Sequence, residues 1–200
     1  MSKREILKVK INSLHNGDKC IQEYHLPEIF IAEMERDGTA YVLSEIDKIK
    51  KTCKIADVEV ELNEERVFII GSSSNIVFIP IDGRNGLLKG DSNCDFIFFN
   101  ELDFCFVEMK LNATLTTEQT ILQQTRAVRQ NRKKALRQLK KTIDYFNSQL
   151  LDNYEGLSLE AYVATPDIYP RENAAFQDIA TDFLEETKVV LFERREKRYD

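Results

Sequence analysis

Long apolar runs and paired cysteines are absent from the 200-residue sequence. No run approaches the roughly 20 residues of a membrane span, and the amino terminus MSKREILKVKINS has no apolar stretch typical of a secretory signal. We therefore expect a cytoplasmic protein without a membrane partner. The four cysteines form no CxxC pair, which favours reduced core residues. His15, Cys20 and His25 lack a fourth ligand and match no common metal-site spacing.

Internal repeats, low-complexity segments and interdomain linkers are also missing, and the length suits one domain with a sizeable core. We interpret residues 1–57 as an amino-terminal elaboration and residues 58–200 as the core of a single domain. The pattern in the elaboration is ambiguous. Its predicted elements are a strand over 6–14, helices over 28–36 and 42–52, and a turn at Asp37-Gly38.

The core reads as strands, helix, strand, helix and strand. VEVEL alternates, while RVFII and NIVFIPI are β-branched and aromatic, with GSSS between them as a hairpin signal. CDFIFFNELDFCFVEMKLN predicts two further strands, and a long helix, LSLEAYVATP, a helix over 173–186 and KVVLFER follow. This order predicts an α/β (α+β) fold with a mixed central sheet flanked by helices.

Three charged residues interrupt the most apolar stretch of the sequence. A two-residue turn within 100–103 sets a hairpin register in which Asp95 lies directly opposite Glu108. Lys110 is two residues beyond Glu108 and therefore points to the same face. Two carboxylates and one ammonium group are thus expected at the hairpin end remote from its turn.

Opposed carboxylates repel each other, and their burial is costly unless a cation offsets it. Magnesium favours oxygen ligands, usually one or two carboxylates together with water and phosphate oxygens. A lysine beside the ion could position or deprotonate a water, or stabilise charge on a reacting phosphate. These residue types fit metal-assisted phosphodiester hydrolysis. The alternative is an ordinary ion pair between Lys110 and Glu108 or Asp95 at the sheet edge.

An aspartate on one strand, Glu-x-Lys on the next and a glutamine on the following helix resemble the PD-(D/E)XK nuclease superfamily. The resemblance covers about residues 90–166 and implies a restriction-endonuclease-like core. By this resemblance Asp95 and Glu108 hold Mg²⁺, for which Mn²⁺ can substitute, Lys110 is the catalytic lysine and Gln138 is an accessory site residue. The family commonly adds an amino-terminal glutamate, for which the sequence offers three candidates: Glu33, Glu35 and Glu45.

The long helix has a predicted start and a predicted apolar face. Thr116 and Gln119 form a candidate capping box at its start. Its apolar stripe repeats at three-, four- and seven-residue steps and comprises Ile121, Val128, Ala135, Leu139, Ile143, Phe146 and Leu150.

Eight basic residues and no acidic residue lie between Arg126 and Lys141, in a chain of formal net charge −6. Solvated helices usually mix signs, so this bias favours contacts with nucleic-acid phosphates over a merely solvated face. Arg132 falls in the apolar sector, where it could extend to solvent or pair with an acid. The predicted phosphate contacts are Arg126, Arg129, Lys133, Lys134, Arg137, Lys140 and Lys141.

The leading hypothesis is a Mg²⁺-dependent nuclease acting on DNA. The alternatives are an RNA-cleaving nuclease and a non-catalytic nucleic-acid- or protein-binding module that keeps the nuclease fold. No sequence-reading module is recognisable, so target choice would come from a partner protein or from a homodimer.

Overall fold

The described part of the chain forms three β-sheets and the helices that pack on them. The computed structural model describes residues 1–55, 57–90, 92–111, 121–150, 154, 156–166 and 174–199. Its helices are α1 (Lys3–Asn12), α2 (Gly17–Cys20), α3 (Ile121–Leu150) and α4 (Ala174–Thr187). Its strands are β1 (Gln22–Tyr24), β2 (Glu28–Met34), β3 (Thr39–Val42), β4 (Ser44–Asp47), β5 (Thr52–Ile55), β6 (Val58–Glu61), β7 (Phe68–Gly71), β8 (Ile76–Pro80), β9 (Phe96–Phe99), β10 (Asp103–Met109), β11 (Ser158–Ala164), β12 (Val190–Phe192) and β13 (Glu196–Arg198).

The central sheet has the strand order β1-β8-β9-β10-β11-β12. The pairs β1–β8, β8–β9 and β9–β10 are antiparallel, whereas the pairs β10–β11 and β11–β12 are parallel. The mixed α/β architecture predicted from the sequence is confirmed. Every residue of β8, β9 and β10 is buried, because both faces of the central sheet are covered.

Helix α3 covers one face of the central sheet. Its buried stripe, with Ala135, Leu139 and Ile143, packs on Phe104 and Phe106 of β10. The predicted apolar residues of this helix are buried from Val128 to Leu150. Thr116, Gln119 and the side chain of Ile121 lie outside the described residues.

A second sheet, with the order β13-β7-β2-β3, covers the other face. Ile31 and Phe68 pack there against Phe96 and Val107 of the central sheet. The third sheet, β4-β5-β6, packs outside the second one through Cys53 and neighbouring apolar residues. Among the described residues, no helix is both long and apolar enough to cross a membrane.

The secondary-structure types predicted for the amino-terminal elements were wrong. The strand predicted over 6–14 is helix α1, capped by Ser2, whose hydroxyl accepts from the amide of Glu5. The helix predicted over 28–36 is strand β2, and the one over 42–52 contains strand β4 and a turn. Pairing of β2 with β7 and β3 overrides the helix propensity of its Glu, Ala and Met residues.

The predicted hairpin across GSSS is also wrong. Strand β7 pairs with β2 and β13, whereas β8 pairs with β1 and β9, so residues 71–74 connect two sheets. Residue 57 marks no structural division either, since β1 lies in the central sheet beside β8 and β2 lies beside β7. The amino-terminal part is built into both principal sheets.

Candidate active site

The β9–β10 hairpin has the register predicted from its turn. Phe99 pairs with Phe104, and the ladder continues to Phe96 opposite Val107. The side chain of Asn100 accepts from two amides in the turn, which closes it locally. One step beyond the ladder, the amide of Asp95 donates to the carbonyl of Val107 at 3.0 Å.

Asp95 and Glu108 therefore lie opposite each other on the face that α3 covers, and both are buried. The amide of Met109 donates to Oδ2 of Asp95. Lys110 donates to Oε1 of Glu108, and its amide donates to the carbonyl of Ala164 on β11 at 2.7 Å. The three charges predicted from the hairpin register are brought together.

Gln138 joins this group from helix α3. Its Oε1 accepts from Nζ of Lys110 at 3.3 Å, and its Nε2 donates to the carbonyl of Asn93 at 2.9 Å. One helical turn further, Thr142 accepts from the amide of Cys94 at 2.9 Å. The chain entering β9 is thereby attached to α3, and Gln138 connects Lys110 to this chain segment.

The two carboxylates are electrostatically disfavoured as anions. Burial raises the pKa of Asp95 to about 7, although Lys110 and the Met109 amide lower it. Burial, and after it the charge of Asp95, raises the pKa of Glu108 well above its usual range. Lys110 opposes both shifts, but one ammonium group cannot offset two buried carboxylates.

One oxygen atom of this site is unsatisfied. Oε2 of Glu108 is buried and has no hydrogen-bond partner among the described residues. A buried carboxylate oxygen without a donor is costly, and a hard cation would satisfy it. Neither here nor elsewhere in the described part of the chain are three or more His, Cys, Asp or Glu side chains arranged to hold a metal. Two carboxylates suffice for Mg²⁺ when water and phosphate complete its coordination.

Of the three candidate glutamates, Glu33 is the one whose charge raises the pKa of Asp95. Burial raises its pKa, and Lys110 and Lys134 lower it, so Glu33 is within electrostatic reach of Lys110. Glu35 instead is exposed and pairs with Arg66, while Glu45 pairs with Lys54. Glu33 lies on strand β2.

Asp82 is a site neighbour that sequence reasoning missed. Its charge raises the pKa of Asp95, Glu108 and Glu33. It follows β8 in a Gly/Asn/Asp-rich connection, and only the pairing of β8 with β9 shows that it ends beside Asp95. No local signal in the sequence distinguishes it from the other aspartates of loops.

The basic residues of α3 divide into two flanks. At 100° per residue, Lys134 and Lys141 lie within about 60° of Gln138 and therefore on the site side. Arg129 and Lys133 are about 140° to 180° away on the same basis. Lys140 pairs with Glu186 of α4. Arg126, Arg129, Lys133, Lys134, Arg137 and Lys141 are exposed.

Arg132 forms the acid pair that its position in the apolar sector suggested. Its Nε and Nη2 donate to the two oxygens of Glu193, each at 2.6 Å. Glu193 is buried, so this bidentate pair joins α3 to the segment after β12 and is structural.

Comparison with protein-family models, with curated proteins and with solved structures finds no match.

Proposed function

We propose that the protein is a metal-dependent nuclease that hydrolyses phosphodiester bonds of DNA. The observation that carries the proposal is the unsatisfied, buried Oε2 of Glu108, opposite Asp95 and beside Lys110. An ion pair alone would leave one carboxylate uncompensated, because Lys110 supplies a single positive charge to two buried acids. A divalent cation removes this imbalance.

Each residue of the site would have a separate role in the reaction. Asp95 and Glu108 would hold Mg²⁺, which when bound polarises the phosphate and lowers the pKa of a coordinated water. The ammonium group of Lys110 lies between Glu108 and Gln138. There it would contact the attacking water or the phosphate oxygens. Gln138 orients this ammonium group, because its amide is attached to the Asn93 carbonyl.

The test is cleavage of supercoiled plasmid, single-stranded DNA and RNA with Mg²⁺, with Mn²⁺ and with chelator. We expect metal-dependent DNA cleavage that Lys110→Ala lowers by at least about a hundredfold, since it removes a charged donor beside the reacting phosphate. Lys8→Ala is the matched control, because Lys8 is also partly buried and ion-paired but lies on α1. It is expected to cleave like the wild type.

The other outcomes separate the alternatives. Preferential cleavage of RNA would replace DNA as the substrate while keeping the same site. Binding of nucleic acid without cleavage under every condition would contradict the proposal and favour the non-catalytic module. Cleavage that survives Lys110→Ala would place the chemistry elsewhere.

The two flanks of α3 lead to a second prediction. Lys134→Ala is expected to weaken DNA binding and to reduce the slope of log affinity against log salt by about 0.7–0.9, as loss of one phosphate contact does. Lys133→Ala, one residue away and equally exposed, points away from the site and should change the slope less. The measurement is a fluorescence-anisotropy titration over several salt concentrations, with chelator present. Equal slopes for both variants would contradict the prediction that the DNA backbone runs along the side of α3 that carries Gln138.

A further inference from the structure

A cavity of about 330 Å³ lies between the second and third sheets and reaches the end of β10, which carries the candidate active site. Met109 and Leu111 line it there. The third sheet contributes an apolar wall with Cys53, Ile55 and Val60. Ligand cavities of proteins usually measure about 300–1,000 Å³, so this one suits a single small ring system better than a peptide segment.

The end of β10 separates this cavity from the candidate active site. Glu108 and Lys110 point to the face of the central sheet that α3 covers. Met109 and Leu111 alternate with them and are buried against the second sheet. The amide of Met109 donates to Asp95, while the side chain of Met109 lines the cavity. A base next to a phosphate at the site would therefore have to pass only the end of β10 to enter the cavity.

Glu33 contributes a carboxylate to the wall of this cavity. Ile31, two residues earlier on β2, packs against the central sheet, so Glu33 points in the same direction. The carboxylate is half-buried and has no hydrogen-bond partner among the described residues. Glu35 and Arg66 pair with each other at the rim, where their side chains are 79% and 44% exposed. The cavity thus opens to solvent and carries an acceptor to which no described residue donates.

We propose that this cavity binds one unpaired nucleobase of the DNA strand, and that Glu33 accepts a hydrogen bond from the exocyclic amino group of that base. Carboxylates accept in this way from the N4 amino group of cytosine. The acidic wall disfavours a phosphate inside the cavity, whereas an uncharged ring matches both the apolar surface and the acceptor. Met34 and Met109 add polarisable sulfur atoms, which pack favourably on aromatic rings. The inference rests on the proposed function, because it needs a strand bound along Asp95 and Glu108.

The test is binding of single-stranded oligonucleotides of one length to the full-length protein, with chelator present so that none is cleaved. One strand contains only cytosine bases, one only uracil bases and one is abasic, so the three share their phosphate charge and differ in the base. Single strands are used because their bases need not be unpaired first. We expect the wild type to bind the cytosine strand at least about tenfold more tightly than the abasic strand, with the uracil strand between them.

Two variants test the cavity and its acceptor separately. Val60→Phe fills the cavity from β6 and is expected to lower the affinity for the cytosine strand about tenfold while leaving the affinity for the abasic strand unchanged. Val58→Phe is the matched control, since Val58 lies on the same strand, is 50% exposed and does not line the cavity. It should bind all three strands like the wild type. Glu33→Leu removes the acceptor and should reduce the preference for cytosine over uracil to less than about twofold.

The outcomes distinguish this inference from the proposed function. If the wild type cleaves DNA but binds the cytosine and abasic strands equally, the base-binding cavity is overturned and the nuclease site stands. Equal losses of affinity for both strands in Val60→Phe would show a general disturbance of the fold and would also overturn it. An unchanged cytosine preference in Glu33→Leu would overturn the role of Glu33. Base-dependent binding that Val60→Phe abolishes, without cleavage in Mg²⁺, would support the cavity and contradict the catalytic proposal.

Discussion

Asp95→Asn is expected to abolish metal-dependent cleavage while making the metal-free protein more stable at pH 8. Loss of one of the two proposed metal ligands should lower the cleavage rate by at least about 10³-fold, since a bound ion would contribute several kcal/mol to transition-state stabilisation. The gain in stability has a separate cause. An asparagine keeps an oxygen for the Met109 amide but carries no charge into the buried site.

The pH dependence of this gain follows from the pKa of Asp95. Burial raises it to about 7 from 3.8, so the folded protein favours the protonated form. The free energy of unfolding of the wild type therefore falls as pH rises from about 4 to about 7, by a few kcal/mol at ~1.4 kcal/mol per pH unit. The charges that act on this carboxyl group are those of Glu108 of β10, Lys110 just after it, Glu33 of β2 and Asp82 of the β8–β9 loop.

Urea unfolding between pH 4 and pH 8 with chelator measures this effect. The difference between Asp95→Asn and the wild type should be small at pH 4 and reach a few kcal/mol at pH 8. Added Mn²⁺ should stabilise the wild type and leave the variant unchanged, because ligands stabilise the state that binds them. A variant less stable than the wild type at pH 8 would show that an ionised Asp95 stabilises the metal-free fold through Lys110.

The hairpin part of the site could be predicted from the sequence because its information is local. Asn100 closes the turn with its own side chain, and the turn sets the register that brings Asp95 opposite Glu108. The apolar period of α3 likewise identified the helix face that packs on the central sheet, whereas Gln138 was suggested only by the family resemblance. Short-range hydrogen bonding and a regular period are both visible in one sequence.

Glu33 and Asp82 could not be predicted because their positions depend on long-range pairing. Glu33 reaches the site only because β2 forms part of a sheet packed on the central one, and β2 itself was predicted to be helical. Asp82 needs the β8–β9 pairing, whereas the sequence had suggested a β7–β8 hairpin. Tertiary pairing overrode the local propensities at both positions.

A second cluster of two acids and one lysine lies on the opposite face of β10, and its hydrogen bonding differs from that of the candidate active site. Lys197 of β13 donates to both oxygens of Glu160, at 2.8 and 2.7 Å, and lies 3.7 Å from Asp103. Tyr162 and Cys105 also donate to Glu160. The carboxylate oxygens of this cluster are all satisfied or solvated, so we interpret it as structural, in contrast to Glu108.

Lys197→Met is therefore expected to destabilise the protein by about 3–5 kcal/mol, because it leaves two buried carboxylates without their cation. Lys54→Met is the matched control, since Lys54 pairs with Glu45 at the surface and should cost less than about 1 kcal/mol. Adding Glu160→Gln to Lys197→Met should recover a substantial part of the loss, which urea unfolding at pH 7 measures. Cleavage at temperatures below unfolding should be unchanged, since the cluster lies at the turn end of the hairpin. A loss for Lys197→Met no larger than that of the control would show that the buried ammonium contributes only as much as a surface charge.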